Sequence, residues 1–252
     1  MRYKLQRVGT LVDRYGLRKG LALYLSLRSK RRSAFRVPGI ELPFTLRRGS
    51  SDEAIFDQVF IRGDYDIDFP FQPKLIVDAG AHIGLFSVLM KSRFPDAQLF
   101  AIEPDEENYA MLQRNLTGYA GCTAIRAELW HSNTRLGVKD EKERGQSSFS
   151  LVENPDGGNI PGLGIDQLMK QHGIERIDVL KIDIEAAERF VFEKNYENLL
   201  RRCHMIIIEL HDWMVPGSSR NFFQAINQVL ADYDYLVCGE NTIIINRSLA
   251  IH

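Results

Sequence analysis

Residues 74–84 read KLIVDAGAHIG, and this stretch decides the fold. Leu75, Ile76 and Val77 form a short apolar run that predicts a buried strand. Asp78 closes the run, and Gly80 and Gly84 follow at a spacing of four. The plain reading is a strand end that needs a flexible turn. The sharper one is a turn that leaves room for a charged ligand. Gly80 lets backbone approach a ligand without an intervening Cβ, and Gly84 permits close packing where a helix begins near Ile83. In an open α/β sheet, ligands sit beyond the carboxyl ends of the strands, and 74–84 is such an end.

Downstream of this turn, strand and helix patterns alternate. Strands are predicted at 75–79, 98–103, 122–127, 178–183, 204–210, 235–238 and 242–246. Helices are predicted at 83–93, 105–117, 164–172, 187–199 and 219–232. That order, with uniformly apolar strands, predicts an α/β fold with a mostly parallel sheet covered by helices on both faces. Only Gly239, Glu240 and Asn241 separate the last two strands, so a C-terminal antiparallel hairpin should close the sheet. Residues 131–163 break the rhythm and read as an active-site loop or small β insertion, with Asp140, Glu141, Lys142, Glu143 and Arg144 as a solvated turn. Upstream, Ile40, Leu42, Phe44 and Leu46 alternate as in a half-buried strand. Ser51 or Asp52 offers an N-cap for a short helix carrying Ile55, Phe56, Val59 and Phe60. Three regions follow: a basic amphipathic helical segment over 1–36, a cap or lid over 37–72, and a main domain over 73–252.

The bulk composition excludes several classes. The chain has 252 residues, 44% hydrophobic and 26% charged, the range of a soluble globular protein. No apolar stretch approaches the roughly 18–20 residues a membrane span needs, and no cleavable leader is evident. Cys122, Cys203 and Cys238 form no Cys-x-x-Cys pair and read as buried thiols in a reducing compartment, so a cytoplasmic location is expected. The net charge of −1 conceals an asymmetry. Arg2 to Arg36 holds eleven Lys or Arg against the single acid Asp13. Leu5, Val8, Leu11, Val12 and Tyr15 recur there at helical spacing, predicting a helix packed on the main domain. The alternative is a peripheral surface meeting anionic membrane, a phosphorylated carrier or an acidic partner.

A nicotinamide fingerprint would read G-x-G-x-x-G and present amides to a pyrophosphate. Here the pattern is D-x-G-x-x-x-G, and Asp78 would repel that group. The acid suits a cofactor bearing an ammonium, as the aminoacyl end of S-adenosylmethionine does. The second strand ends in Ile102-Glu103-Pro104, placing Glu103 to accept hydrogen bonds from ribose hydroxyls. Pro104 and Asp105 open the next helix. Glu128 and Trp130, after the third strand, either face the adenine or serve the core or surface.

The fourth strand reads VLKIDIEAAE, and period two puts Lys181, Asp183 and Glu185 on one side. The fifth reads MIIIELHDW and aligns Glu209 with His211. So many charged groups at two strand ends are costly to bury, which points to chemistry. An N-P-P-Y signature and aromatics interleaved with basic residues are both missing there, so nucleic acid is a poor acceptor.

DAGAHIGLFS, AIEPDEENYAMLQRNL, DVLKIDIEAAE and IIIELHDW, with RRGSSDEAIFDQVF ahead of them, together resemble the FkbM family of methyltransferases. The likeness runs from about Val37 to Asn246. It implies a Rossmann-like class I methyltransferase fold and methyl transfer from S-adenosylmethionine to a hydroxyl of a sugar or polyketide-type acceptor. Two positions depart from the family pattern: His82 replaces the usual asparagine of the glycine turn, and Ala186 the usual glycine after the fourth-strand acid. The turn residues Asp78, Gly80, His82 and Gly84, with Glu103, Pro104, Glu128 and Asp183, form the expected cofactor set. An alcohol needs a base or a metal to become a nucleophile. His211 is the expected base, with Glu209 or Glu185 orienting it or holding the acceptor, and Lys181 and Asp183 completing the set. In the metal variant, Asp183, Glu209 and His211, joined by Glu185, hold Mg or Mn. Two rivals remain, a cofactor-binding scaffold without turnover and an NAD-dependent oxidoreductase. The acceptor's identity and the oligomeric state are not written in these patterns.

Overall fold

A computed structural model describes residues 2–29, 33–140, 149–185 and 187–249. Ala186, and Glu141 to Arg144 of the expected solvated turn, lie outside the described residues. The chain opens with two helices, α1 (Arg2–Tyr15) and α2 (Leu17–Arg28). They pack closely because Gly20 lies where a Cβ would stand 2.3 Å from the Leu11 carbonyl oxygen. The two-stranded ribbon β1 (Ala34–Phe35) and β2 (Phe44–Thr45) follows. The strand expected over 40–46 is therefore confined to Phe44 and Thr45. A turn at Pro38 and Gly39, with Gly39 at φ 87°, leads the chain into it. Helix α3 (Asp52–Phe56) runs on into a π-helical stretch over Asp57–Arg62.

The next elements build the main sheet. In chain order they are β3 (Leu75–Ala79), α4 (Leu85–Arg93), β4 (Gln98–Ile102), α5 (Glu106–Leu116) and β5 (Cys122–Ile125). A second sheet then intervenes, made of β6 (Glu128–Trp130), β7 (Thr134–Asp140), β8 (Phe149–Glu153) and β9 (Ile160–Gly164). Helix α6 (Ile165–His172) leads to β10 (Ile177–Ile182), α7 (Glu188–Val191), α8 (Glu197–Arg202) and β11 (Cys203–Glu209). Helix α9 (Ser219–Val229), β12 (Tyr233–Cys238) and β13 (Asn241–Asn246) complete the described chain.

The seven-stranded sheet has the order β12-β13-β11-β10-β3-β4-β5. Strands β5, β4, β3, β10 and β11 run parallel, and the β12–β13 hairpin is antiparallel. This is the mostly parallel sheet with a terminal hairpin that the apolar runs predicted. Its central strands β3 and β10 are buried along their whole length, as a sheet covered on both faces requires. One core layer joins Leu11, Leu23, Phe35, Phe44, Phe56 and Phe60 to Ile76, Val88 and Leu99. The other joins Val77, Phe100, Leu180 and Ile206 to Leu168, Leu200 and Phe222. The N-terminal helices and the segment before the sheet therefore finish one face of the core.

Three local expectations change. The helix predicted over 187–199 is two short helices, interrupted where Asn195 adopts φ 61°. Of the two readings of 131–163 the structure has the small β insertion, whose described residues contribute strands to a four-stranded sheet of order β6-β9-β7-β8. Asp140, however, belongs to β7 rather than to the expected solvated turn. Pro104 precedes α5 rather than opening it. Asp105 is the N-cap, its carboxylate accepting the Asn108 N–H at 2.9 Å, which satisfies a backbone donor the first turn leaves free.

Candidate functional site

Strand order reverses at β3: the chain runs outward through β4 and β5, then returns to place β10 on the other flank of β3. A crevice at the carboxyl ends of β3 and β10 follows from that reversal. The register sets Lys181 opposite Asp78 and Ile182 opposite Ala79. On the far side of β10, Ile182 stands opposite Ile208. The next residue along each of those strands is Asp183 and Glu209, which are thereby brought side by side.

Lys181 is the hub of the first half. Its ammonium donates to the Gly80 carbonyl at 2.8 Å and lies 3.4 Å from both Asp78 Oδ1 and Asp183 Oδ2. Burial alone would lower its pKa, but the carboxylates of Asp183 and Asp78 more than reverse this and hold it protonated. Lys181 is thus a fixed cation and not a proton acceptor. Asp78 is fully buried, and Ser87 donates its hydroxyl to Oδ2 at 2.6 Å. Its Oδ1 makes no hydrogen bond and has only the more distant Lys181 ammonium beside it. Asp78 thus anchors Lys181 and the first turn of α4 while keeping one acceptor oxygen unfilled.

The turn itself is tightly specified. Gly80 has φ 75°, and a Cβ there would lie 1.8 Å from the Asp183 carbonyl oxygen. Gly84, at φ 85°, faces Leu112, whose Cδ1 would lie 2.6 Å from an added Cβ. His82 adopts φ 50° and donates its backbone N–H to Glu103 Oε2 at 2.8 Å. The Nε2 atom of its ring lies 3.1 Å from the Ser51 hydroxyl and 3.8 Å from Asp52. Burial depresses the pKa of this imidazole, against the pull of Asp52.

Glu103 is held by three donors: the backbone N–H groups of His82 and Asp105 and the Asn108 amide. Burial raises its pKa, and those hydrogen bonds oppose the rise. Glu128, in β6, is buried, and its Oε1 lacks a hydrogen-bond partner. Its pKa is driven well above the ordinary carboxylate range by burial first, then by repulsion from Glu103, Glu188 and Glu185. Trp130 stacks on Phe190 at 4.4 Å and donates its indole N–H to Glu153, so it belongs to the packing of the insertion.

The second half of the site gathers around His211, which is buried. Its Nδ1 lies 2.8 Å from Glu188 Oε1. A carboxylate oxygen accepts, so Nδ1 carries the proton and donates. Nε2 then faces Glu209 Oε1 at 3.5 Å and Asp183 Oδ1 at 3.8 Å. One ligand atom from each of Asp183, Glu209 and His211 falls within 4.8 Å of the others. Burial would lower the His211 pKa, but the hydrogen bonds to Glu188 and Glu209 push it up to about 10. Glu209 is subject to burial, which raises its pKa, yet His211 and the Gln58 amide hold it below its ordinary value. Gln58 reaches it at 3.2 Å from the π-helical stretch.

Glu185 does not join this cluster. Strand β10 ends at Ile182, and Glu185 stands exposed with φ 48°, so the period-two alternation stops short of it. Four residues escaped the sequence reading: Ser87, Gln58, Glu188 and Trp213. An acid in the first turn of a helix ordinarily complements the helix dipole, so Glu188 carried no distinctive signal. Trp213 is 79% exposed, with its ring 6.2 Å from that of His211. A separate cavity of about 410 Å³ opens between His131, Asn133, Asp166 and Asn198, and none of the site residues above lines it.

Known proteins bear on this arrangement. Residues 78–237 match the methyltransferase FkbM domain, more than half of the chain. The chain is 29% identical over 191 residues to the methyltransferase sdnD of Sordaria araneosa, covering 62% of this chain and 73% of that protein. It is 28% identical over 254 residues to the AMB antimetabolite synthetase AmbE of Pseudomonas aeruginosa, covering 81% of this chain but only 11% of that much longer protein. Among solved structures, the methyltransferase FkbM of Methylobacillus flagellatus KT superposes with a TM-score of 0.51 at 14% identity, covering 96% of this chain and 59% of that one. The sheet order, the glycine turn and the matched span agree, and the chain belongs to the FkbM family of methyltransferases.

Proposed function

We propose that the chain transfers a methyl group from S-adenosylmethionine to a hydroxyl of a sugar or natural-product acceptor, at a site where Asp183, Glu209 and His211 hold a divalent cation, Mg or Mn. The observation that carries this reading is the orientation of His211. Glu188 fixes its Nδ1–H, which leaves Nε2 directed at two carboxylates. Two carboxylates facing Nε2 favour a positive charge at that point. A proton supplies it in the chain as it stands, and a divalent cation among the same three groups would take its place. Two oxygen donors and one imidazole suit Mg or Mn, and a carboxylate behind the imidazole is the usual support of a metal-bound histidine. A free His211 acting as the sole base fits less well, because a proton on Nε2 would occupy the lone pair that the reaction needs.

When bound, S-adenosylmethionine supplies a methyl group on a positively charged sulfur, and the cation supplies acidity to a hydroxyl beside it. The remaining work falls to the chain. Glu103, oriented by three donors, offers its free lone pair to the ribose hydroxyls. Glu128 Oε1, a buried acceptor without a partner, fits a donor on the adenine. The Gly80 turn presents backbone with no side chain in the way, while Lys181 holds its carbonyl in place. Asp183 and Glu209, half-buried at the two strand ends, would hold the cation with one oxygen each and leave the second carboxylate oxygen to accept the proton an acceptor hydroxyl gives up. Trp213, exposed beside His211, offers a flat apolar face to the acceptor.

Mass spectrometry tests this directly. Chain stripped with EDTA is incubated with S-adenosylmethionine and a panel of glycosides and nucleotide-sugars, with and without added Mg or Mn. The expected result is a single added methyl group that depends on the restored cation and is lost in His211→Ala. Full turnover after chelation would remove the cation from the site. Calorimetric binding of NAD, with adenosylhomocysteine inert, would overturn the whole reading.

A further inference from the structure

Helix α2 carries two apolar stripes. Leu23 and Leu27 face the core, as an amphipathic helix requires. Yet Leu17, Leu21 and Leu25 recur every fourth residue on the opposite side and are 69%, 42% and 58% exposed. Spacing of four keeps them on one stripe, so the solvent face of α2 carries a leucine ridge about two turns long. Arg18, Lys19 and Arg28 are exposed on the same helix. From Arg14 to Ile40 the sequence holds eight Lys or Arg and no Asp or Glu. The rest of the chain is strongly acidic, since the net charge is only −1. Among the described residues, no helix is long and apolar enough to cross a membrane.

We propose that this face of α2 docks on an anionic lipid surface, with Leu17, Leu21 and Leu25 entering the headgroup–acyl boundary and Arg18 and Arg28, which flank them, meeting lipid phosphates. Charge decides the occupant. A second copy joined through the same face in a twofold contact would set these cations against their own equivalents. An anionic leaflet supplies both an apolar layer for the ridge and counter-charge for its flanks. The lipid contact is independent of the methyl-transfer site, and it keeps an enzyme near membrane-borne acceptors.

The test is sedimentation of the full chain with phosphatidylcholine vesicles, with and without about one-third phosphatidylglycerol. Binding is expected only to the anionic vesicles, falling at least about tenfold when salt is raised from about 0.05 to 0.5 M. Leu17→Gln/Leu21→Gln/Leu25→Gln should reduce it by a similar factor, as should Arg18→Glu/Arg28→Glu. These side chains are exposed, and unchanged circular dichroism and Tm would show that the variants fold. Equal binding to neutral vesicles, binding untouched by the leucine changes, or no binding would each overturn the proposal. So would leucine-dependent self-association in analytical ultracentrifugation without vesicle binding, which would assign the ridge to a second copy.

Discussion

At Gly80 the missing side chain matters twice. Its φ of 75° disfavours any L-residue, and the Asp183 carbonyl fills the space a Cβ would need, at 1.8 Å. Because that neighbour is backbone of the adjoining strand end, it has little room to yield. Gly84 has a similar φ but meets only the tip of the Leu112 side chain, which can rotate away. Gly80→Ala should therefore cost about 1–3 kcal/mol of stability in urea unfolding and weaken adenosylhomocysteine binding. Gly84→Ala should cost less and leave the binding largely intact. Glu188 acts through His211 rather than on the reacting atoms. Glu188→Gln keeps an acceptor for the Nδ1 proton but removes the charge behind it. Cation affinity should fall by about 10- to 100-fold in a Mn titration, with Tm little changed.

Among the elements, the central strands were legible because burial on both faces leaves uninterrupted apolar runs such as LIVDA and MIIIE. The helix over 187–199 was not legible as two pieces, because Asn195 in a left-handed turn looks like any polar helix residue until the chain is folded. The insertion was legible as a break in the rhythm, but its polar, glycine-rich text left a loop and a small β unit equally open. Strand β3 also depends on a side chain outside itself. Asp178 Oδ2 accepts the N–H groups of Lys74 and Leu75 at 2.7 and 3.0 Å, while Oδ1 takes the Arg176 guanidinium. Asp178→Ala strands the buried Leu75 donor and the part-buried Lys74 donor and should cost about 1–3 kcal/mol in urea unfolding. Asp178→Asn, which retains an acceptor, should recover part of that loss.

For the whole molecule, burial of Glu128 makes global stability depend on pH. Its pKa is raised in the folded chain, by burial first and by neighbouring glutamates second. Between the ordinary carboxylate range and that raised value, the folded chain keeps a proton that the unfolded chain releases. The contribution is therefore fully present at low pH and is lost as pH rises through the window. Glu128→Gln has no such proton to hold. Its Tm should exceed that of the parent at pH 7–8 by at least about 2–4 °C, and the difference should shrink as pH approaches 5. A constant difference across that range, followed by differential scanning calorimetry, would show that Glu128 does not titrate on unfolding.

The sequence by itself determined the order of the main-sheet strands, the glycine turn and the family, since each rests on local periodicity or on spacing within one segment. It also determined which acids and which histidine would end the fourth and fifth strands. The tertiary structure decided what those groups face. Only the register across β3, β10 and β11 turns Lys181 inward to Asp78 and Gly80, and sets Asp183 beside Glu209. Only the packing of α7 against the end of β11 puts Glu188 behind His211. Spacing along a chain records neighbours in one strand, whereas charge pairing across strands depends on distances that exist only after the sheet has formed.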